Sequence, residues 1–481
     1  MRIQLGRPVQ LFAIVVMSSI AALAGCTSTH VAASAPIMSP PASGWLQYAA
    51  PESAGFSAAA LDKAFRYADS VRSGAVMVVY RGMVVAAWGD VARKLELHSV
   101  RKSIVSAMFG MAADRGAVSL DMTLGQLAIT DRTPLTDTES TARIRDLLAA
   151  RSGVYLPAAY ADASQDAERP ARGSHAPNTF WFYNNWDFNT LGSIYEHAVE
   201  PSLYESIDNR LARPIGMEDY RPTDGFLVYE PSSSIHPAHT IRMSARDLAR
   251  LGQLFLQDGM WNGGRLISHE WIAESTAPKS ATGVADRGYG YLWWTQAPGP
   301  AGRYPEVDRR SLYYGSGTGG HLVAVIPSDD LVIIHRGDTD HGRNISGRDA
   351  WRIVELILEA HTGKAASQSA SKPLSPVAFT SQLPAIVAPA YITMDASLIT
   401  ELSGRYEIAP NVMLRVFEFN GWLFGNFPGQ GEAELFGLNR SEFTIRVIPG
   451  VRFVFERGAN GAVTGVNGMI GPQRFRGVKR E

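Results

Sequence analysis

At 481 residues the chain is longer than one ordinary hydrophobic core accommodates, so two domains with connecting segments are expected. Hydrophobic residues make up 46% and charged residues 19%, with a formal net charge of −1, the composition of a soluble globular protein. A near-neutral chain without long runs of one sign has no field to hold nucleic acid or an anionic membrane, and neither is an expected partner.

Arg2 and Arg7 flank a short basic start, and an apolar run extends from Leu11 to Ala24. About 14 residues is too short for a bilayer span and suits the hydrophobic region of an export signal. The run ends in Leu23-Ala24-Gly25-Cys26, which resembles the lipobox of bacterial lipoproteins. The resemblance implies cleavage before Cys26 and a lipid on its thiol. The protein would then be an exported lipoprotein anchored on the periplasmic side, at the outer membrane. An ordinary signal peptide whose cleavage site happens to contain a cysteine is the alternative. Cys26 is the only cysteine, which leaves no thiol for a disulfide, a cysteine metal site or a cysteine nucleophile.

Residues 26–45 are rich in Ser, Ala, Pro and Thr and read as a flexible tether. A helix is predicted around Ser57–Ser70, then a hairpin of Ala75–Tyr80 and Met83–Trp88 turning at Arg81-Gly82. A second helix starts near Ser99, carries Ile104, Met108 and Met111, and stops at Gly116. Ser244 and Asp247 form a capping pair for a helix whose apolar face is Leu248, Leu251, Phe255 and Leu256. Leu331–His335 reads as a buried strand and Trp351–Ala360 as a closing helix. Residues 363–395 form a Ser/Ala/Pro linker. Beyond it, alternating apolar runs flank Asn420-Gly421 and Asn460-Gly461, the strongest short hairpin signal. Residues 396–481 are therefore expected to form a small antiparallel β domain.

Three local features carry chemistry. Ser99-Val100-Arg101-Lys102 places an amine three residues from a hydroxyl, so a helix sets both on one face. A serine hydroxyl needs a partner to take its proton, and a desolvated lysine can do so. The helix N-terminus adds N–H groups and positive potential where an oxyanion would develop. A second such tetrad, Ser369-Ala370-Ser371-Lys372, lies in the linker, where no scaffold is expected to hold it. Tyr183-Asn184-Asn185 is the second feature: a phenol beside the lysine can share its proton, and an amide can hold the lysine and a substrate carbonyl. The third is Gly315-Ser316-Gly317-Thr318-Gly319-Gly320-His321, leading into the apolar run Leu322–Ile326. A phosphate loop is excluded because a strand follows rather than a Gly-Lys-Ser/Thr helix start. Glycines there let a strand edge approach a substrate and lend an N–H to an oxyanion hole.

In this order and spacing the three features resemble the serine β-lactamase/penicillin-binding-protein superfamily. So do Ile144-Arg145-Asp146-Leu147-Leu148 with Ser152-Gly153-Val154, Met243-Ser244-Ala245-Arg246-Asp247-Leu248, and Gly290-Tyr291-Leu292-Trp293-Trp294. The resemblance covers residues 46–362. Tyr183 in place of a serine makes it nearer to class C enzymes and their esterase relatives, and the glycine run leading into Leu322–Pro327 resembles the 6-aminohexanoate-dimer hydrolase-like branch. The implied fold is α+β: an antiparallel sheet flanked by helices plus a helical region. The C-terminal β domain resembles a lipocalin-like appendage. The implied roles are acylation of Ser99, a base shared between Lys102 and Tyr183, orientation of Lys102 or substrate by Asn185, and an oxyanion hole from the Ser99 and Thr318 N–H groups. No cofactor and no metal is implied, and the partner is a small ester, amide or peptide substrate.

One departure bears on the substrate. The superfamily carries Lys-Thr-Gly or His-x-Gly on the edge strand, whereas glycine and threonine stand here without a cation. His361-Thr362-Gly363 follows a helix and is rejected as a substitute. The loss disfavours penicillins and D-Ala peptides and favours esters or amides of small acids. His321, His335 and His341 lack carboxylates at metal-ligand spacing, and no G-x-S-x-G elbow occurs. Trp293 and Trp294 read as core packing, with a substrate-pocket wall as the alternative. The loops Leu156–Pro177 and Gly225–His239 have no readable code. A non-catalytic binding lipoprotein retaining the fold is the rival class; a DD-peptidase or β-lactamase is the rival within enzymes.

Overall fold

The computed structural model describes residues 38–41, 44–364, 370–387, 389–428, 431–446, 450–470 and 473–480. Cys26 and the expected export signal lie outside the described residues.

A ten-stranded sheet organises the first domain. Its order is Ser371–Pro373, Leu46–Tyr48, Met83–Gly89, Ser73–Tyr80, Leu331–Gly337, His321–Ile326, Leu312–Gly317, Trp294–Gln296, Arg287–Tyr289 and Ser280–Ala281. Neighbours are antiparallel except Leu46–Tyr48 beside Met83–Gly89. The central strands are mostly apolar because both faces are covered. Successive side chains point to opposite faces. Ala75, Met77 and Val79 therefore enter one core with Val323, Val325, Val332 and Ile334. Val76 and Val78 enter the other with Leu322, Ala324, Leu331 and Ile333.

The helices Ala58–Ser70 and Gly347–Glu359 cover the second face, each begun by a serine cap (Ser57 to Ala60 N–H, Ser346 to Asp349 N–H). The first face carries Ala245–Leu256, capped by Ser244. Asp247 is not the reciprocal half of that cap: its carboxylate accepts the N–H groups of Glu218, Asp219 and Tyr220. The helix Arg101–Asp114 is buried from Arg101 to Ala112, which explains why its apolar character extends around the helix.

Two expected boundaries change. Residues 38–41 and 44–45, assigned to a flexible tether, pack on the domain: Trp45 is buried, its indole N–H donates to Arg246 O, and Arg250 donates to Pro41 O. The linker is likewise docked over Ser371–Pro373, which pairs with Leu46–Tyr48 because that edge strand offers unpaired backbone groups. Lys372 of the second Ser-x-x-Lys copy is exposed on that strand, and Ser369 lies outside the described residues. The Gly225–His239 loop is partly regular too, since Gly225–Val228 pairs with Ala238–Met243.

The C-terminal domain is a nearly closed antiparallel barrel of nine strands, whose edges, Gly431–Glu434 and Phe436–Gly437, are adjacent in sequence. Tyr406, Phe443, Phe453 and Phe455 fill its interior. Asn420 and Gly421 have φ of 51° and 82°, as a two-residue hairpin turn requires, and join Phe419 to Trp422. The Asn460-Gly461 hairpin differs: its strands end at Arg457 and resume at Val463, giving a longer loop. The barrel meets the first domain through Tyr229, whose ring lies 6.0 Å from that of Phe419, and through the Ser232 N–H donated to Glu432 Oε2.

Candidate active site

Ser99 lies in a short 3-10 turn, His98–Val100, that runs into the helix Arg101–Asp114. Ser99 is half-buried and Lys102 is buried. One helical turn places Lys102 Nζ 2.9 Å from Ser99 Oγ. Nζ also lies 2.7 Å from Tyr183 Oη and 3.1 Å from Asn185 Oδ1.

Tyr183 and Asn185 come from the entry to the helix Asn185–Ala198. Asn184 caps it, accepting from Trp186 N–H while its own amide donates to Val154 O and Asp187 Oδ1. The Asn185 amide donates to Tyr160 O and Gln165 Oε1, at 2.8 and 2.9 Å. With both acceptors claiming Nδ2, Oδ1 must face Lys102. The Tyr183 ring stacks on Trp294, at 5.5 Å and 22°.

Burial, and secondarily the neighbouring Arg101, holds the Lys102 amine well below its ordinary range, with Asp162 opposing weakly. Burial also raises the Tyr183 phenol to about 12. Both shifts favour a neutral amine beside a neutral phenol. A neutral lysine has two N–H donors and one lone pair. Asn185 Oδ1 can only accept, so in that neutral form one of the two hydroxyls would donate to Nζ. That is the arrangement of a base poised to take a proton.

The far wall is the end of the strand Leu312–Gly317. A Cβ at Gly317 would lie 2.6 Å from Leu97 O and 3.2 Å from Ser99 N, so only glycine lets the strand approach the Ser99 turn this closely. Gly319 and Gly320, at φ of 82° and 79°, turn the chain into His321–Ile326. Ser99, Tyr183, Trp294 and Thr318 line one cavity of about 350 Å³. Asp162 and Gln165 also line it, and no Lys or Arg is among its described lining residues.

Ser99, Lys102, Tyr183 and Asn185 thus form one hydrogen-bonded group, with Thr318 on the facing wall. His321 and His335 belong to buried hydrogen-bond networks: His321 Nδ1 accepts from Arg336, and His335 bonds Gly320 O and Ser73 Oγ. Among the described residues no three His, Cys, Asp or Glu side chains are grouped to hold a metal. Sequence reasoning missed Tyr160, Asp162 and Gln165, all on the Leu156–Pro177 loop. For Trp293 and Trp294 it favoured packing over a pocket wall. Trp293 is core, whereas Trp294 faces the cavity, a split that the alternation of an extended chain could have indicated.

A Ser–Lys–Tyr group with its lysine buried, between a helix tip and a glycine-bearing strand edge on this α+β scaffold, defines the serine β-lactamase/penicillin-binding-protein superfamily. The Beta-lactamase family model matches residues 59–353, more than half of the chain, and the protein belongs to that family of serine hydrolases. Among solved structures, the chain is similar to a class C beta lactamase from Rhodobacter sphaeroides. Identity is 18%, the TM-score is 0.46, and 62% of this chain and 99% of that one are covered. It is also similar to the octameric penicillin-binding protein homologue from Pyrococcus abyssi. There the identity is 15% and the TM-score 0.47, covering 87% of this chain and 99% of that one.

Proposed function

We propose that the protein hydrolyses an ester or amide of a small substrate through an acyl-enzyme on Ser99. The observation that carries this reading is the buried Lys102 amine bonded to both Ser99 Oγ and Tyr183 Oη beside an open cavity. The Ser99 proton passes to the Lys102–Tyr183 pair as Oγ bonds to the substrate carbonyl carbon. The Ser99 and Thr318 N–H groups hold the oxyanion. As the carbonyl–leaving-group bond breaks, the pair returns that proton to the departing oxygen or nitrogen. Water, activated by the same pair, then releases the acid and restores Ser99. The two titrations are coupled, so the base is the pair rather than either residue. Lipidation of Cys26 would tether this activity to the periplasmic side of the membrane.

The charge of the cavity argues against the DD-peptidase and β-lactamase readings. A substrate carboxylate would meet Asp162 and no facing Lys or Arg among the described lining residues. Turnover of p-nitrophenyl acetate alongside nitrocefin tests this. The ester is expected to turn over and nitrocefin to react slowly or not at all. Rapid nitrocefin hydrolysis would overturn the substrate assignment, and absence of ester turnover would favour the binding lipoprotein.

A further inference from the structure

Two non-glycine residues near the nucleophile have left-handed backbones: His98, at φ 47°, and Tyr160, at φ 61°. Such conformations persist where surrounding contacts over-determine them, and they cluster at functional sites. Here the contacts are mutual. Tyr160 Oη lies 2.6 Å from Glu96 Oε1 and 2.9 Å from His98 Nδ1. The phenol has one proton and the carboxylate can only accept, so Tyr160 donates to Glu96 and accepts from His98 Nδ1–H. His98 Nε2 then carries the lone pair, and it has no hydrogen-bond partner among the described residues. The other face of the imidazole stacks on His321, at 5.4 Å and 27°. Arg336 holds His321 in turn, while its Nη2 donates to Leu95 O and Glu96 O.

The Tyr160 main chain reaches the opposite wall. Its carbonyl accepts from Asn185 Nδ2, the amide whose oxygen faces Lys102, and its N–H donates to Glu230 Oε1. One residue therefore grips the turn carrying Ser99 with its side chain and the lysine-holding amide with its backbone.

We infer that Tyr160 is a positioning residue that sets the register of Ser99 against Lys102, its hydroxyl fixing the His98–Ser99 turn and its carbonyl fixing Asn185. The inference rests on Ser99 being the nucleophile. The hydroxyl bonds Glu96 and His98 rather than Ser99 or Lys102, so it acts through the turn. Without it, His98 loses a restraint on its left-handed backbone, and the Ser99 hydroxyl drifts relative to the Lys102–Tyr183 pair that takes its proton. A misplacement of about 1 Å can cost about 100-fold in rate.

Tyr160→Phe tests the hydroxyl alone, since it keeps the ring that packs under Arg101 and both backbone bonds. The acylation rate constant with p-nitrophenyl acetate is expected to fall about 10- to 100-fold, with the half-saturating ester concentration within about twofold of wild type. Glu96→Gln, which preserves an acceptor for the phenol, should stay within about threefold of the wild-type rate. The Tyr160→Phe/His98→Ala double variant should be no slower than His98→Ala, because both changes break one chain. A Tyr160→Phe rate equal to wild type, a loss confined to ester affinity, or multiplicative losses in the double variant would overturn the inference and leave the hydrolase reading intact. A wild type that neither turns over ester nor reacts with a fluorophosphonate would sink both.

Discussion

Replacing Lys102 by alanine is expected to slow acylation of Ser99 by about two to four orders of magnitude, the scale on which a general base contributes. Nζ is the group within hydrogen-bond reach of both Ser99 Oγ and Tyr183 Oη. Its loss strands the Ser99 proton and leaves Asn185 Oδ1 facing a void. The pH profile supplies an independent readout. A base acts unprotonated, and burial holds Lys102 well below the ordinary lysine range while raising Tyr183 to about 12. In wild type the acylation rate should therefore rise through an apparent pKa below that of free lysine and then level off. In Lys102→Ala that lower limb should vanish, leaving any residual rate to climb only toward the phenol's higher range. Pre-steady-state bursts with p-nitrophenyl acetate across pH measure both effects. An unchanged burst rate would remove Lys102 from the mechanism.

The second large effect is expected at Gly317. An alanine Cβ there would lie 2.6 Å from Leu97 O, a backbone atom that cannot swing aside, so strand and nucleophile turn must separate. Separation carries the Thr318 wall away from Ser99; under the proposed mechanism that removes one oxyanion-hole donor, a loss of about 100- to 1,000-fold in turnover. Gly317→Ala should accordingly lose turnover on that scale while keeping its thermal unfolding cooperative. Gly342→Ala is the control: unlike Gly317 that glycine has positive φ, but nothing lies within 4 Å of an added Cβ, and it should stay active. Equal activity in the two variants would show that the close approach at Gly317 is irrelevant to the chemistry.

How much of this was legible in the sequence depended on whether the information lay in side-chain type or in backbone placement. The central strands were readable because burial on both faces leaves runs such as Leu331–Ile334 wholly apolar. Ser99, Lys102, Tyr183 and Asn185 were readable because each needs its own functional group. The Leu156–Pro177 loop was not, since Tyr160 holds Asn185 through a carbonyl, which every residue possesses, and its left-handed φ leaves no mark on a tyrosine. Gly317 could be flagged as permissive, but its reason, Leu97 O, is 220 positions away. The docking of Ser371–Pro373 onto Leu46–Tyr48 was hidden for a related cause: a strand of Ser, Lys and Pro with exposed side chains is held by main-chain pairing and carries no hydrophobic pattern. Asn460-Gly461 carried the hairpin signal of Asn420-Gly421, yet only the latter forms the two-residue turn.

The most direct test of the central assignment is the intact mass of the purified protein after exposure to a fluorophosphonate, followed by peptide mapping. One adduct is expected, on Ser99, absent from Ser99→Ala and formed far more slowly in Lys102→Ala. An adduct on another residue, or equal labelling of wild type and Ser99→Ala, would contradict the assignment.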